Sequence, residues 1–129
     1  MDDINKAEIC PYCNKKPKLV DSAKIYGKSY GMAYLCKPCD AYVNCHKGTS
    51  KPLGRLANKE LRYWKRVAHE FFDPLWKKAI EQGRTKQEAR NSAYEWLSKY
   101  MDLPIKETHI GMFDIEQCKQ VIKLCQPYN

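Results

Sequence analysis

The chain has 129 residues, with 23 basic and 15 acidic side chains and a formal net charge of +8. That length suits one compact domain or two small ones, and no run approaches the ~18 consecutive apolar residues of a membrane span. Seven cysteines is an odd number and no secretory leader is evident, so the cysteines are expected to be reduced and the protein cytoplasmic.

The first motif in chain order is Cys10-Pro11-Tyr12-Cys13. Its counterpart, Cys36-Lys37-Pro38-Cys39, follows after 22 intervening residues. Two residues between thiolates let one tight turn aim both sulfurs at the same ion, and Pro11 and Pro38 stiffen those turns. Two such knuckles at this spacing predict a zinc ribbon holding one structural Zn2+ through Cys10, Cys13, Cys36 and Cys39. Cys45 and His46 lie close behind and are alternative ligands for one knuckle cysteine. Between the knuckles, residues 17–20 read as an outgoing strand, Ala33 to Leu35 as a returning one, and Gly27 and Gly31 as the bend. Ala41 to Cys45 is the expected third strand of a small antiparallel sheet. A ribbon over residues 1–50 is too small for much apolar core, so the metal is expected to supply folding energy there.

Residues 51–129 are expected to be helical, as a bundle of three to four helices on which the ribbon packs, giving an α+β protein. Ser50 to Gly54 reads as a linker. Ala57, Leu61, Trp64, Ala68, Phe71 and Phe72 then recur at helical steps. If that helix reaches back to Arg55, then Arg55, Lys59, Arg62 and Arg66 fall within about 60° of each other on the opposite face. Such a basic stripe would track phosphates, or would be an ordinary solvated helix face. Asp73-Pro74 predicts a kink or a new short helix to Gln82, with Leu75, Trp76, Ala79 and Ile80 buried and Gly83 at its end. Thr85 to Glu88 is a capping box, and its helix would bury Ala89, Ala93, Trp96, Leu97 and Tyr100. Pro104 stops it. His109 to Phe113 is a turn, Asp114 caps the last helix with Gln117 three residues on, and Pro127 ends it. Cys118 and Cys125, seven apart, are expected to be small core residues.

The chemistry of the chain points to binding. A site closed by four thiolates has no open position for substrate. The sequence has no nucleophile elbow, no phosphate-cradling glycine loop and no His-Glu-x-x-His pair. His69 and His109 are isolated, so no enzyme and no small-molecule substrate are expected. Residues 1–50 carry 8 basic against 5 acidic side chains, residues 51–82 carry 8 against 4, and residues 83–129 carry 7 against 6. The positive excess thus sits in the ribbon and the segment after it. Tyr26 and Tyr30, among the ribbon lysines, are candidates to stack nucleic-acid bases, or simply cover a small sheet.

The run Cys36-x-x-Cys39-x-Ala41-Tyr42-Val43-x-Cys45-His46, with Pro52-Leu53-Gly54-x-Leu56-Ala57 after it, resembles an uncharacterised zinc-finger-containing family common in bacteriophages and prophages. Ala68-His69-x-x-Phe72-Asp73-x-Leu75-Trp76, Ala93-Tyr94-x-Trp96-Leu97 and His109-Ile110-Gly111-x-Phe113 are similar to it too. Asn44 departs from the glycine expected before Cys45-His46. The resemblance implies zinc and a mobile-element origin. It also brings in the zinc-containing anti-CRISPR type, which inhibits the Cas9 effector of a bacterial host cell by blocking nucleic-acid loading. The expected partner is therefore such a host protein, or nucleic acid itself, with Arg55, Lys59, Arg62, Arg66, Tyr26 and Tyr30 as the contacting side chains. A structural adaptor is the third reading.

Overall fold

The computed structural model describes residues 7–129. The architecture is α+β, a three-stranded antiparallel sheet near the N-terminus and three long α-helices beyond it. The chain divides into two compact units, Met1–Arg62 and Tyr63–Asn129. Among the described residues, no helix is long and apolar enough to cross a membrane.

The first unit is built on strands β1 (Lys18–Asp21), β2 (Met32–Cys36) and β3 (Ala41–Asn44), in that order across the sheet. The register places Lys18, Leu35 and Tyr42 in one cross-strand row. Side chains alternate faces along a strand. Tyr34, Cys36, Ala41 and Val43 accordingly join Ala7, Cys10 and Leu56 in one core. Lys18, Leu35 and Tyr42 belong to the other face. That core is small, and Leu56 is its one large aliphatic residue of full burial.

Two expectations for this unit change. The bend between β1 and β2 is more than a turn, because it contains a short helix, α1 (Ala23–Tyr26). Asp21 Oδ1 accepts from the Ala23 N–H at 2.8 Å, and buried Ser22 Oγ accepts from the Tyr30 N–H at 2.7 Å, so side chains satisfy the turn's backbone. Gly27, at φ 79°, ends α1 in the left-handed conformation that glycine adopts without cost. The segment after β3 is also not a free linker. Leu53 N–H donates to Asn44 O, and Tyr42 and Ala57 exchange both backbone hydrogen bonds. Residues 52–57 thereby cover the outer edge of β3, which would otherwise present unpaired amides.

The second unit contains most of α2 (Lys59–Glu81), all of α3 (Lys86–Met101) and α4 (Ile115–Cys125), and 3-10 turns at Ile105–Glu107, Ile110–Met112 and Gln126–Tyr128. Phe72, Leu97, Ile110, Phe113, Cys118, Val121 and Cys125 are almost fully buried. Both capping boxes form: Thr85 Oγ1 accepts from Glu88 N–H, and Asp114 Oδ1 from Gln117 N–H. A helix does not restart at Pro74, since α2 runs through it. Asp73 caps no backbone. Its Oδ1 accepts from Trp76 Nε1 at 3.1 Å and lies 3.2 Å from His69 Nδ1. Trp76 is only half-buried, beneath the cations of Lys77, Lys86 and Arg90. The buried stripe of α3 is also rotated from the expected one. It runs through Ala89, Tyr94, Leu97 and Met101, while Ala93 and Trp96 are half-buried and Tyr100 is exposed. The Tyr94 ring lies between Phe72 (4.7 Å) and His109 (4.8 Å) and fixes that rotation. Helix α4 stops at Cys125, as expected from Pro127, which sits within the 3-10 turn that follows.

Candidate metal centre and the ribbon surface

Each knuckle is a tight turn closed by its own backbone. Asn14 N–H donates to Cys10 O at 2.8 Å, and Asp40 N–H to Lys37 O at 3.1 Å. The residue after the second cysteine of each knuckle is left-handed, Asn14 at φ 62° and Asp40 at φ 50°. Asn and Asp are the non-glycine residues that tolerate this region best. Those two residue types in matching places were a readable signal of paired knuckles.

The turns bring four sulfurs together. The Sγ atoms of Cys10, Cys13, Cys36 and Cys39 all lie within 4.8 Å of one another, and Cys13 and Cys36 are 3.7 Å apart. A tetrahedron with Zn–S bonds of about 2.3 Å has edges of about 3.8 Å, so the spacing fits zinc. Cys10 and Cys36 are buried, while Cys13 and Cys39 are partly exposed. Burial pushes the Cys39 thiol up to about 12, and the three sulfurs beside it push the same way. Burial raises Cys10 as well, whereas the Lys15 amide lowers Cys13. Four sulfurs this close do not all ionise without a cation among them, and a divalent ion supplies that charge while releasing the thiol protons.

Cys45 and His46 do not enter this cluster. Cys45 is buried, its thiol raised by desolvation, and its N–H donates to Met32 O. His46 is exposed, and its carbonyl accepts from the Thr49 N–H and hydroxyl. The pair forms a corner of the ribbon. Asn44, in place of the expected glycine, has ordinary strand geometry and meets the Tyr26 hydroxyl.

The family model for a zinc-finger-containing domain matches residues 6–128. The chain belongs to this family. No curated protein and no solved structure matches it. Family and geometry agree on one structural zinc ion in a four-cysteine ribbon, which makes this a zinc-stabilised protein.

The basic stripe is not built as a stripe. Helix α2 starts at Lys59, so Arg55 lies outside it and half-buried. Arg62 turns back onto the ribbon. Its guanidinium donates to Asp40 O at 2.7 Å and Ala57 O at 2.8 Å, pairs with Asp40 Oδ2 at 3.1 Å, and covers the Tyr42 ring at 4.4 Å. Lys59 is exposed, and Arg66, in the second unit, lies 5.3 Å from the Tyr63 ring. The tyrosines do gather. Tyr26 meets both Tyr30 and Tyr42 edge-to-face, at 5.7 and 5.8 Å. Tyr26 and Tyr30 are 43% and 66% exposed, with Lys28 5.9 Å from the Tyr30 ring.

The isolated histidines are engaged separately. His69 Nδ1 is taken by Asp73. The His109 ring meets Tyr94 at a tilt, 4.8 Å between centroids, and burial, with the Arg90 charge, lowers its pKa.

Proposed function

We propose that this zinc-stabilised protein is a non-enzymatic, phage-derived interaction factor that disables a nucleic-acid-handling host machine by binding, with CRISPR-Cas9 as the specific target. The observation that carries this reading is the cationic, ring-bearing face of the ribbon unit, where exposed Tyr26 and Tyr30 stand beside Lys28. A basic face is repelled by a cationic DNA channel and attracted to what that channel must load. The mode is therefore contact with the DNA or guide nucleic acid, which stops loading. Non-catalytic action is supported by the saturated sulfur site, which leaves zinc no position for substrate, and by the separate engagement of His69 and His109. The proposed setting is the cytoplasm of a bacterial host.

The same face also favours a second reading, a nucleic-acid-binding protein of the mobile element that needs no host effector. Pre-incubating holo-protein with Cas9 and guide, then measuring target binding and cleavage, separates the two. Loss of target binding that is stoichiometric with Cas9 and persists when target DNA is in large excess over the protein supports the first reading. Full Cas9 activity with tight binding of the chain to free nucleic acid selects the second.

A further inference from the structure

We infer that a lysine-rich groove, running from the outer sheet face of Lys18, Leu35 and Tyr42 to the second knuckle at Cys36 and Pro38, holds the backbone of single-stranded nucleic acid. This rests on the reading of the ribbon as a nucleic-acid-contacting face, and it assigns the occupant and the side chains. The groove has a volume of about 730 Å³ and is lined by Lys15, Lys16, Lys18, Lys24 and Lys37, with Val20, Leu35 and Tyr42 contributing apolar surface. Its one acidic side chain, Asp40, is already held by Arg62 at 3.1 Å. Five cations thus face the groove without a competing free carboxylate among its lining residues.

Fold and sequence explain the concentration. Lys18 shares its cross-strand row with Leu35 and Tyr42, so the strand register sets a lysine beside an apolar floor. Lys24 comes from α1, and Lys15, Lys16 and Lys37 from the knuckles and their flanks. The three near the knuckles also offset the charge of about −2 that four thiolates leave on a divalent ion. Lys18 and Lys24 belong to β1 and α1 and have no such duty.

The nature of the occupant follows from what borders the cations. Tyr42 passes from the groove into the Tyr26–Tyr30 cluster. Arg62 covers the Tyr42 ring, but Tyr26 and Tyr30 keep open surface. Lysines that track phosphates beside rings that stack bases are the two components of single-strand binding. An acidic peptide would use the lysines and leave the rings unused. Duplex DNA keeps its bases stacked internally and offers the rings nothing.

The test is fluorescence anisotropy of holo-protein with labelled oligothymidylate and oligouridylate, from about 50 to about 200 mM salt, the range over which phosphate contacts are most legible. Each neutralised phosphate on a single strand contributes about 0.7 to the slope of log affinity against log salt. Lys18→Gln with Lys24→Gln should therefore lower the slope by about 1.4, with zinc content unchanged. Lys47→Gln with Lys51→Gln removes the same charge from the same unit outside the groove and should leave the slope near that of wild type. Tyr26→Ala with Tyr30→Ala should weaken binding about tenfold or more at constant slope. The proposal is overturned if wild-type protein does not bind either oligonucleotide. It is also overturned if both lysine pairs act alike, or if duplex DNA or polyglutamate binds as tightly as the single strands. None of these readouts involves Cas9, so failure of the effector assay leaves them independent.

Discussion

Removal of zinc is the perturbation with the largest expected effect. The ribbon core consists of Ala7, Cys10, Cys36, Ala41 and Leu56, flanked by partly buried Tyr34 and Val43. Burying its one large aliphatic side chain, Leu56, contributes about 1.5–3 kcal/mol, and the alanines contribute less. A structural zinc site of this kind contributes about 10–16 kcal/mol near neutral pH. A whole domain is stable by only about 5–15 kcal/mol. The metal term therefore exceeds what the apolar contacts of the ribbon can replace, and stripping it should unfold Met1–Arg62. The second unit has its own buried set, from Phe72 to Cys125, and should keep its helices. Tryptophan makes the distinction visible, because Trp64, Trp76 and Trp96 all lie beyond Arg62. Titration with a strong chelator should abolish amide-exchange protection of β1 to β3, while tryptophan emission and most helical circular dichroism persist. Chelated protein with native protection in β2 and β3 would refute the reasoning.

Two further perturbations test local features of the helical unit. Asp114→Ala removes the oxygen that accepts from Gln117 N–H and should cost about 1 kcal/mol, seen as a lower melting temperature with unchanged zinc content. His109, with its folded pKa lowered by burial and by Arg90, binds its proton more weakly folded than unfolded. Its stabilising contribution is therefore present above the ordinary histidine range and is lost as pH falls through the lowered value. Melts of wild type and His109→Gln should diverge near neutral pH and converge on acidification.

Much of the metal centre was legible in the sequence because its determinants are local. Two residues between cysteines define a turn, and both helix caps are four-residue motifs. What failed to read involves partners distant in the chain. Arg62 reads as part of a solvent stripe until Asp40, 22 residues earlier, is placed beside it. Tyr94 looks like a neighbour of the buried face until Phe72 and His109 close around it. Pro74 suggests a break, yet the apolar pattern continues on both sides and Asp73 finds side-chain partners, so the helix continues. The lysine groove is assembled by β-pairing between segments that sequence periodicity treats separately.

X-ray absorption at the zinc edge of the purified protein tests the central claim most directly. Four cysteine ligands predict one zinc per chain with four sulfurs at about 2.3 Å and no nitrogen in the first shell. A mixed shell containing an imidazole nitrogen would place His46 at the metal and contradict the four-cysteine centre, and a protein folded without zinc would contradict the account of the ribbon as a whole.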